Sequence, residues 1–147
     1  MKINQLSLFL ENKPGRLSVP CQALSEAGIN ILTLSLADTQ QFGILRLIVK
    51  DWSMAKRVLE GAGCVVNVTE VVAIEVPDTP GGLALVLGAI EEGEINVEYM
   101  YAFTFRGDQD RAVLIFRFED PDQAIRILQR RGINVVAPVE LYDRMKR

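Results

Sequence analysis

The chain contains no histidine. That removes Ser-His and Cys-His nucleophiles, histidine general bases, and almost every common zinc or iron site. Carboxylates, lysine or a bound cofactor could still support chemistry, but an enzyme is not expected, and no catalytic residue, metal ligand or cofactor is assigned. Only two cysteines are present, Cys21 and Cys64. Neither has CxxC spacing, and both sit in apolar patterns, so they read as reduced, buried thiols. Basic residues are also scarce: 16 Lys and Arg against 19 Asp and Glu give a net charge of −3. Apart from the terminal Arg144-Met145-Lys146-Arg147 there is no basic block, which argues against a nucleic-acid partner. No apolar run reaches the length of a membrane span, and the first residues lack a signal-peptide core. A cytoplasmic protein with no membrane partner is therefore expected.

What the sequence has instead is a repeat. Asn12-Lys13-Pro14-Gly15-Arg16-Leu17 returns 66 positions later as Asp78-Thr79-Pro80-Gly81-Gly82-Leu83. Each copy follows an alternating apolar run and opens an amphipathic segment. Sixteen residues after each proline comes an asparagine among apolar residues, Ile29-Asn30-Ile31 and Ile95-Asn96-Val97. Further on, Ala55 matches Ala124, Leu59 matches Leu128 and Gly63 matches Gly132, a period of 69. Two domains are expected, residues 1–69 and 70–147.

Leu6, Leu8 and Leu10 alternate along 3–10, the period of a strand. Leu17, Cys21 and Leu24 follow at helical spacing up to Gly28. Pro20 is compatible with that helix only near its start. Strands are expected at 29–37 and 44–50, with the turn 38–43 between them. A helix carrying Ala55, Val58, Leu59 and Ala62, capped by Asp51 or Ser53, and a strand at 64–69 complete a β-α-β-β-α-β unit. The second half repeats that order. It has strands at 71–76, 95–105, 112–118 and 133–137, and a turn at 106–110. Its helices carry Leu83, Val86, Leu87 and Ile90, then Ala124, Ile127 and Leu128. Pro121 sits near N1 of the latter, and Gly93 and Gly132 act as the stops. The tail 138–147 suits either an edge strand or a short helix. The join from Cys64 to Val76 holds neither glycine nor proline; its thirteen residues span about 40 Å if extended. The predicted fold class is α+β: two ferredoxin-like units with antiparallel sheets and helices on one face.

With 49% apolar residues and mean hydropathy +0.17, halves of roughly 70 residues have thin cores and gain from burying more surface. Two helices cover one sheet face, and Tyr99, Tyr101, Phe103 and Phe105 share a face in the second half. A homo-oligomer, taken as a dimer, is the expected assembly.

A helix start leaves backbone N–H groups unpaired and carries partial positive charge, which suits a carboxylate. Asn30 and Asn96 each offer a carboxamide donor and acceptor, and Asp78 can accept from an ammonium group more strongly than Asn12. Carboxylate at a helix start and amine at amide or carboxylate oxygens together describe recognition of a free amino acid. As good turns alone, the same residues would have a purely structural role.

The pattern Asn-Lys-Pro-Gly-Arg-Leu, then Gly-Ile-Asn-Ile, and again Asp-Thr-Pro-Gly-Gly-Leu, then Ile-Asn-Val, resembles the ACT domain across essentially the whole chain. The stretch Ile95 to Phe103 is similar to the second unit of stand-alone tandem ACT proteins. The resemblance implies a non-catalytic regulatory module, with an effector held by the first loop of one unit and the asparagine-bearing strand of a neighbour. Carried over, the ligand positions are Asn12, Pro14, Gly15, Leu17 and Asn30, then Asp78, Pro80, Gly81, Leu83 and Asn96. Some family members carry histidine where Leu10 stands. With no fused enzyme expected beside these units, the chain is expected either to act on a regulated enzyme in trans or simply to bind its ligand. Two alternatives remain open at this point. One is a structural or oligomerisation module with vestigial pockets. The other is an acylphosphatase-like hydrolase, for which Arg16 with Asn30 is a thin imitation that Gly82 breaks in the second copy. An RNA-binding reading of the aromatic strand lacks the surrounding basic residues.

Overall fold

A computed structural model describes residues 1–38, 40–105 and 110–145. The elements in chain order are β1 (Ile3–Glu11), α1 (Ser18–Glu26), β2 (Thr33–Asp38), β3 (Phe42–Ile48), α2 (Trp52–Gly61) and β4 (Val66–Pro77). They continue with α3 (Gly82–Glu92), β5 (Val97–Phe103), β6 (Arg111–Phe118), α4 (Pro121–Arg130), β7 (Asn134–Val136) and α5 (Pro138–Met145). Two compact units emerge, Asn4–Thr69 and Met1–Ile3 with Glu70–Arg147, termed the first and second modules below. Both follow the β-α-β-β-α-β order. Of the expected turn at 106–110, only Asp110 is among the described residues; Thr39 of the first turn and Lys146-Arg147 of the tail also lie outside them.

In the first module β3 pairs antiparallel with both β1 and β2. Register places Leu6 opposite Leu47 and Leu8 opposite Leu45, so the period of two delivers them to one face. There they meet Leu24 of α1 and Ala55 and Leu59 of α2, all fully buried. Each buried leucine contributes about 1.5–3 kcal/mol. Trp52, the single tryptophan, packs against this core, as does Cys64. Both cysteines are free but only half-buried, less enclosed than expected.

In the second module β6 pairs antiparallel with β4 and β5, and β4 also pairs with β7. Val72, Ile74, Val76, Leu114, Phe116 and Phe118 turn one face toward Val86 and Ile90 of α3 and Ala124, Ile127 and Leu128 of α4. The Phe116 and Phe118 rings stack with centroids 4.9 Å apart. Leu83 and Leu87, expected on the inward stripe of α3, stay 41% and 39% exposed. Ala89 takes the inward position instead.

Several boundaries differ from expectation, among them the strand expected at 44–50, which runs Phe42–Ile48. The two strands read at 64–69 and 71–76 are one strand, Val66–Pro77, since nothing in that stretch breaks the ladder. The strand expected from residue 29 begins at Thr33, and that expected at 95–105 covers only Val97–Phe103. The tail is a helix. Leu141 of α5 is buried, and Arg144 reaches Glu75, 2.5 Å away, and the Phe105 ring, 4.0 Å from its centroid. Glu75 alternates with the core residues Ile74 and Val76 along β4, so α5 lies on the sheet face away from α3 and α4. It is an addition to the two-helix plan.

Candidate functional site

Both copies of the repeated motif fold into the same turn. Arg16 N–H donates to Lys13 C=O at 3.2 Å and Gly82 N–H to Thr79 C=O at 3.1 Å. Gly15 and Gly81 occupy the left-handed region at φ +86° and +92°. Proline second and a positive-φ glycine third define a type II β-turn, which explains why these two residue types recur together. The loop is closed on its other side in the same way twice. Asn12 N–H donates to Gln41 C=O at 2.9 Å, and Asp78 N–H to Asp110 C=O at 2.7 Å.

The two copies then diverge. The Asn12 carboxamide donates to Gln40 C=O at 3.0 Å, tying the loop to the β2–β3 turn. The Asp78 side chain is exposed at the surface. Glu11 pairs with Lys13 at 3.1 Å. The hydrogen bond from Lys13, its charge and the charge of Arg16 hold the Glu11 carboxyl below its ordinary range.

The helix starts are the more informative feature. α2 and α4 are capped by aspartate: Asp51 accepts from Met54 N–H and Asp120 from Gln123 N–H, each at 3.1 Å. α1 and α3 have no side-chain cap. Their N-cap positions hold Leu17 and Gly81, so the orphan amides of the first turn and the positive end of the helix dipole stay open. In α1 Pro20 supplies no donor, leaving Ser18 and Val19; in α3 the corresponding amides are Leu83 and Ala84. Leu17 and Leu83 stand beside these amides, both 41% exposed.

Asn30 and Asn96 are also exposed, in the turns just before β2 and β5 rather than inside those strands. The Asn96 carbonyl accepts from Glu119 N–H at 3.0 Å. Within one module the turn and the asparagine are not brought together. They flank opposite ends of α1 or α3, helices of 9 and 11 residues, which puts them about 14–17 Å apart at 1.5 Å per residue. Sixteen residues is the length of a helix with its two turns, so equal spacing in sequence marks equivalence between copies and not contact. Sequence reasoning missed the carbonyls of Gln40, Gln41 and Asp110 that anchor the loops. The missing caps were legible, since neither position 17 nor 81 holds Ser, Thr, Asp or Asn.

A family model for the ACT domain pair matches residues 1–145. The chain belongs to the ACT domain family. A protein from Bacteroides thetaiotaomicron of known crystal structure is 38% identical to this ACT pair, with TM-score 0.90, over 97% of this chain and 96% of that one. The regulatory subunits of aspartate kinase from Thermus thermophilus and Thermus flavus share the fold at 18% and 20% identity. Each superposes with TM-score 0.60, covering 86% of this chain and 90% of the subunit. No curated protein matches. Among the described residues of the ACT pair, no cluster of His, Cys, Asp or Glu is suited to a metal ion, and no helix is long and apolar enough to cross a membrane.

Proposed function

We propose that this ACT pair is a non-catalytic sensor that binds a free amino acid and regulates a metabolic enzyme or pathway in trans. The observation that carries this reading is the contrast between helix starts. The two helices that follow the repeated turns are uncapped, while the other two β-α-β-β-α-β helices are aspartate-capped. Open amides and an unneutralised dipole suit the ligand carboxylate. The carboxamides of Asn30 and Asn96 suit its amine and would reach it from a paired module of a second copy, since each lies a helix length from its own turn. On this reading Asn12, Pro14, Gly15, Leu17 and Asn30, with Asp78, Pro80, Gly81, Leu83 and Asn96, form two classes of site in modules 1–69 and 70–147. Asp78 gives the second class a carboxylate for the ammonium group.

A ligand that bridges two modules biases their pairing by its differential affinity for the two arrangements, and an enzyme partner reads that bias. The regulatory aspartate kinase subunits, alike in fold, are the kind of precedent that supports such a role. Calorimetry against a panel of free amino acids tests the reading. Binding of one amino acid, abolished in the Asn30→Ala, Asn96→Ala double variant with the fold intact, is expected. Unchanged binding in that variant would remove both asparagines from the site. One observation favours a structural role for the first copy, namely the Asn12 carboxamide already engaged by Gln40. If no amino acid raises the melting temperature, the pair is an assembly module, because any ligand held only by the folded state must stabilise it.

A further inference from the structure

The first module contains a groove of about 240 Å³ beside the repeated turn. It lies between the end of β1, the first turn of α1 and the α2–β4 turn. Leu10, Val19, Pro20 and Val65 contribute apolar atoms to its lining, Val19 and Val65 being 44% and 70% exposed. Cys64 adds a half-buried thiol whose burial pushes its pKa up, so it stays protonated and behaves as an apolar lining group.

Two charged groups line the same groove, Glu11 and Arg16. Glu11 pairs with Lys13, and the Arg16 charge acts on the same carboxyl without a direct ion pair. Two cations against one carboxylate leave a net positive charge beside the apolar lining, the complement of an amphipathic anion. The volume corresponds to about eight waters at ~30 Å³ each, enough for a metabolite-sized guest and below the range of drug-sized pockets.

The second module has no counterpart. Where the first has Glu11 and Arg16, it has Pro77 and Gly82. A Cβ added at Gly82 would sit 2.5 Å from the Pro77 carbonyl oxygen, so no arginine can stand there. The groove with its cation belongs to the first module alone.

We propose that this groove is a second ligand site, taking a small apolar monocarboxylate with its carboxylate on Arg16 and its hydrocarbon against Leu10, Val19 and Val65. An α-amine is not required, which separates it from the amino-acid sites. The proposal shares the first turn of α1 with the amino-acid reading, through Val19, but its carboxylate contact is Arg16, which that reading does not use, so the two fail separately.

The test is titration of the isotope-labelled full chain with 4-methylpentanoate, followed by amide NMR, with 4-methylpentanamide as the uncharged control. The expected result is shifts at Leu10, Glu11, Arg16, Cys64 and Val65 with the carboxylate and none with the amide. Arg16→Gln should weaken binding about tenfold or more, the range for losing one charge-assisted contact. Arg16 is exposed, so that variant keeps its urea midpoint. The Asn30→Ala, Asn96→Ala variant should bind the carboxylate as the natural chain does, even if it loses an amino acid. Equal binding of the amide, undiminished binding by Arg16→Gln, or shifts confined to other residues would each overturn the proposal.

Discussion

Glu94 is the residue whose replacement tests the local reasoning most sharply. Helix α1 closes with Gly28 at φ +71°, and the equivalent position after α3 is Glu94, at φ +54°. An L-residue in the left-handed region costs about 1–2 kcal/mol. Glycine there returns about 0.4–1 kcal/mol of that through its greater freedom in the unfolded chain. Glu94 also places a negative charge at the negative end of the α3 dipole, worth about 0.3 kcal/mol. Glu94→Gly is therefore expected to stabilise the protein by about 1 kcal/mol. The backbone bond from residue 94 N–H to Glu91 C=O, 3.0 Å, survives the change. Urea titration followed by circular dichroism should show a higher midpoint, and Glu94→Asn a smaller rise, since asparagine tolerates this region better than most residues. Gly28→Ala should lower the midpoint by a similar amount. A midpoint lowered or unmoved by Glu94→Gly would show that the turn relaxes to another conformation and refute the strain argument.

Two further outcomes follow from neighbouring contacts. A Cβ at Gly93 would displace Ile127 Cδ1, the free end of that side chain, where α3 passes α4; Gly93→Ala should destabilise by no more than about 1 kcal/mol, the cost of turning Ile127 off its rotamer, and Ile127→Val should remove that cost in the same urea assay. Burial pushes the Glu75 carboxyl up, but the hydrogen bond and charge of Arg144, the Asn134 hydrogen bond and the Arg111 charge more than reverse this, leaving it below its usual 4.5. A depressed carboxyl contributes stability that is present above the unfolded-state value and lost as pH falls through the folded one. Glu75→Gln should therefore flatten the loss of stability below about pH 4.5, and an acid limb as steep as before would exclude Glu75 as its source.

Much of the architecture was legible because it rests on local patterning. Alternation placed Leu6 and Leu8 on the inner face, and helical spacing placed Ala124, Ile127 and Leu128 in the second core. Pro-Gly marked the turns that open α1 and α3, since a type II turn wants those residue types in that order. The left-handed stop after α3 was misplaced by one residue. Glycine stands at 93 for close passage of Ile127, and the chain turns at Glu94, which no propensity rule would choose. Contact between turn and asparagine was not legible, because spacing along a chain does not tell which end of a helix faces which. The carbonyls that anchor Asn12 and Asp78 carry no side-chain signature, so only coordinates reveal them. The groove beside Arg16 was hidden for a related reason: its walls come from β1, α1 and the α2–β4 turn, stretches that read separately as strand, helix and stop.

The close approach of Gly82 to the Pro77 carbonyl limits how interchangeable the two copies are. With its strand-to-helix corner that tight, the second copy has no room for the arginine of the first, whereas Gly15 and Gly81 have open space around them in both. The copies are distinct parts, and a graft of Asn12 to Leu17 into the second half would have to widen that corner before it could settle.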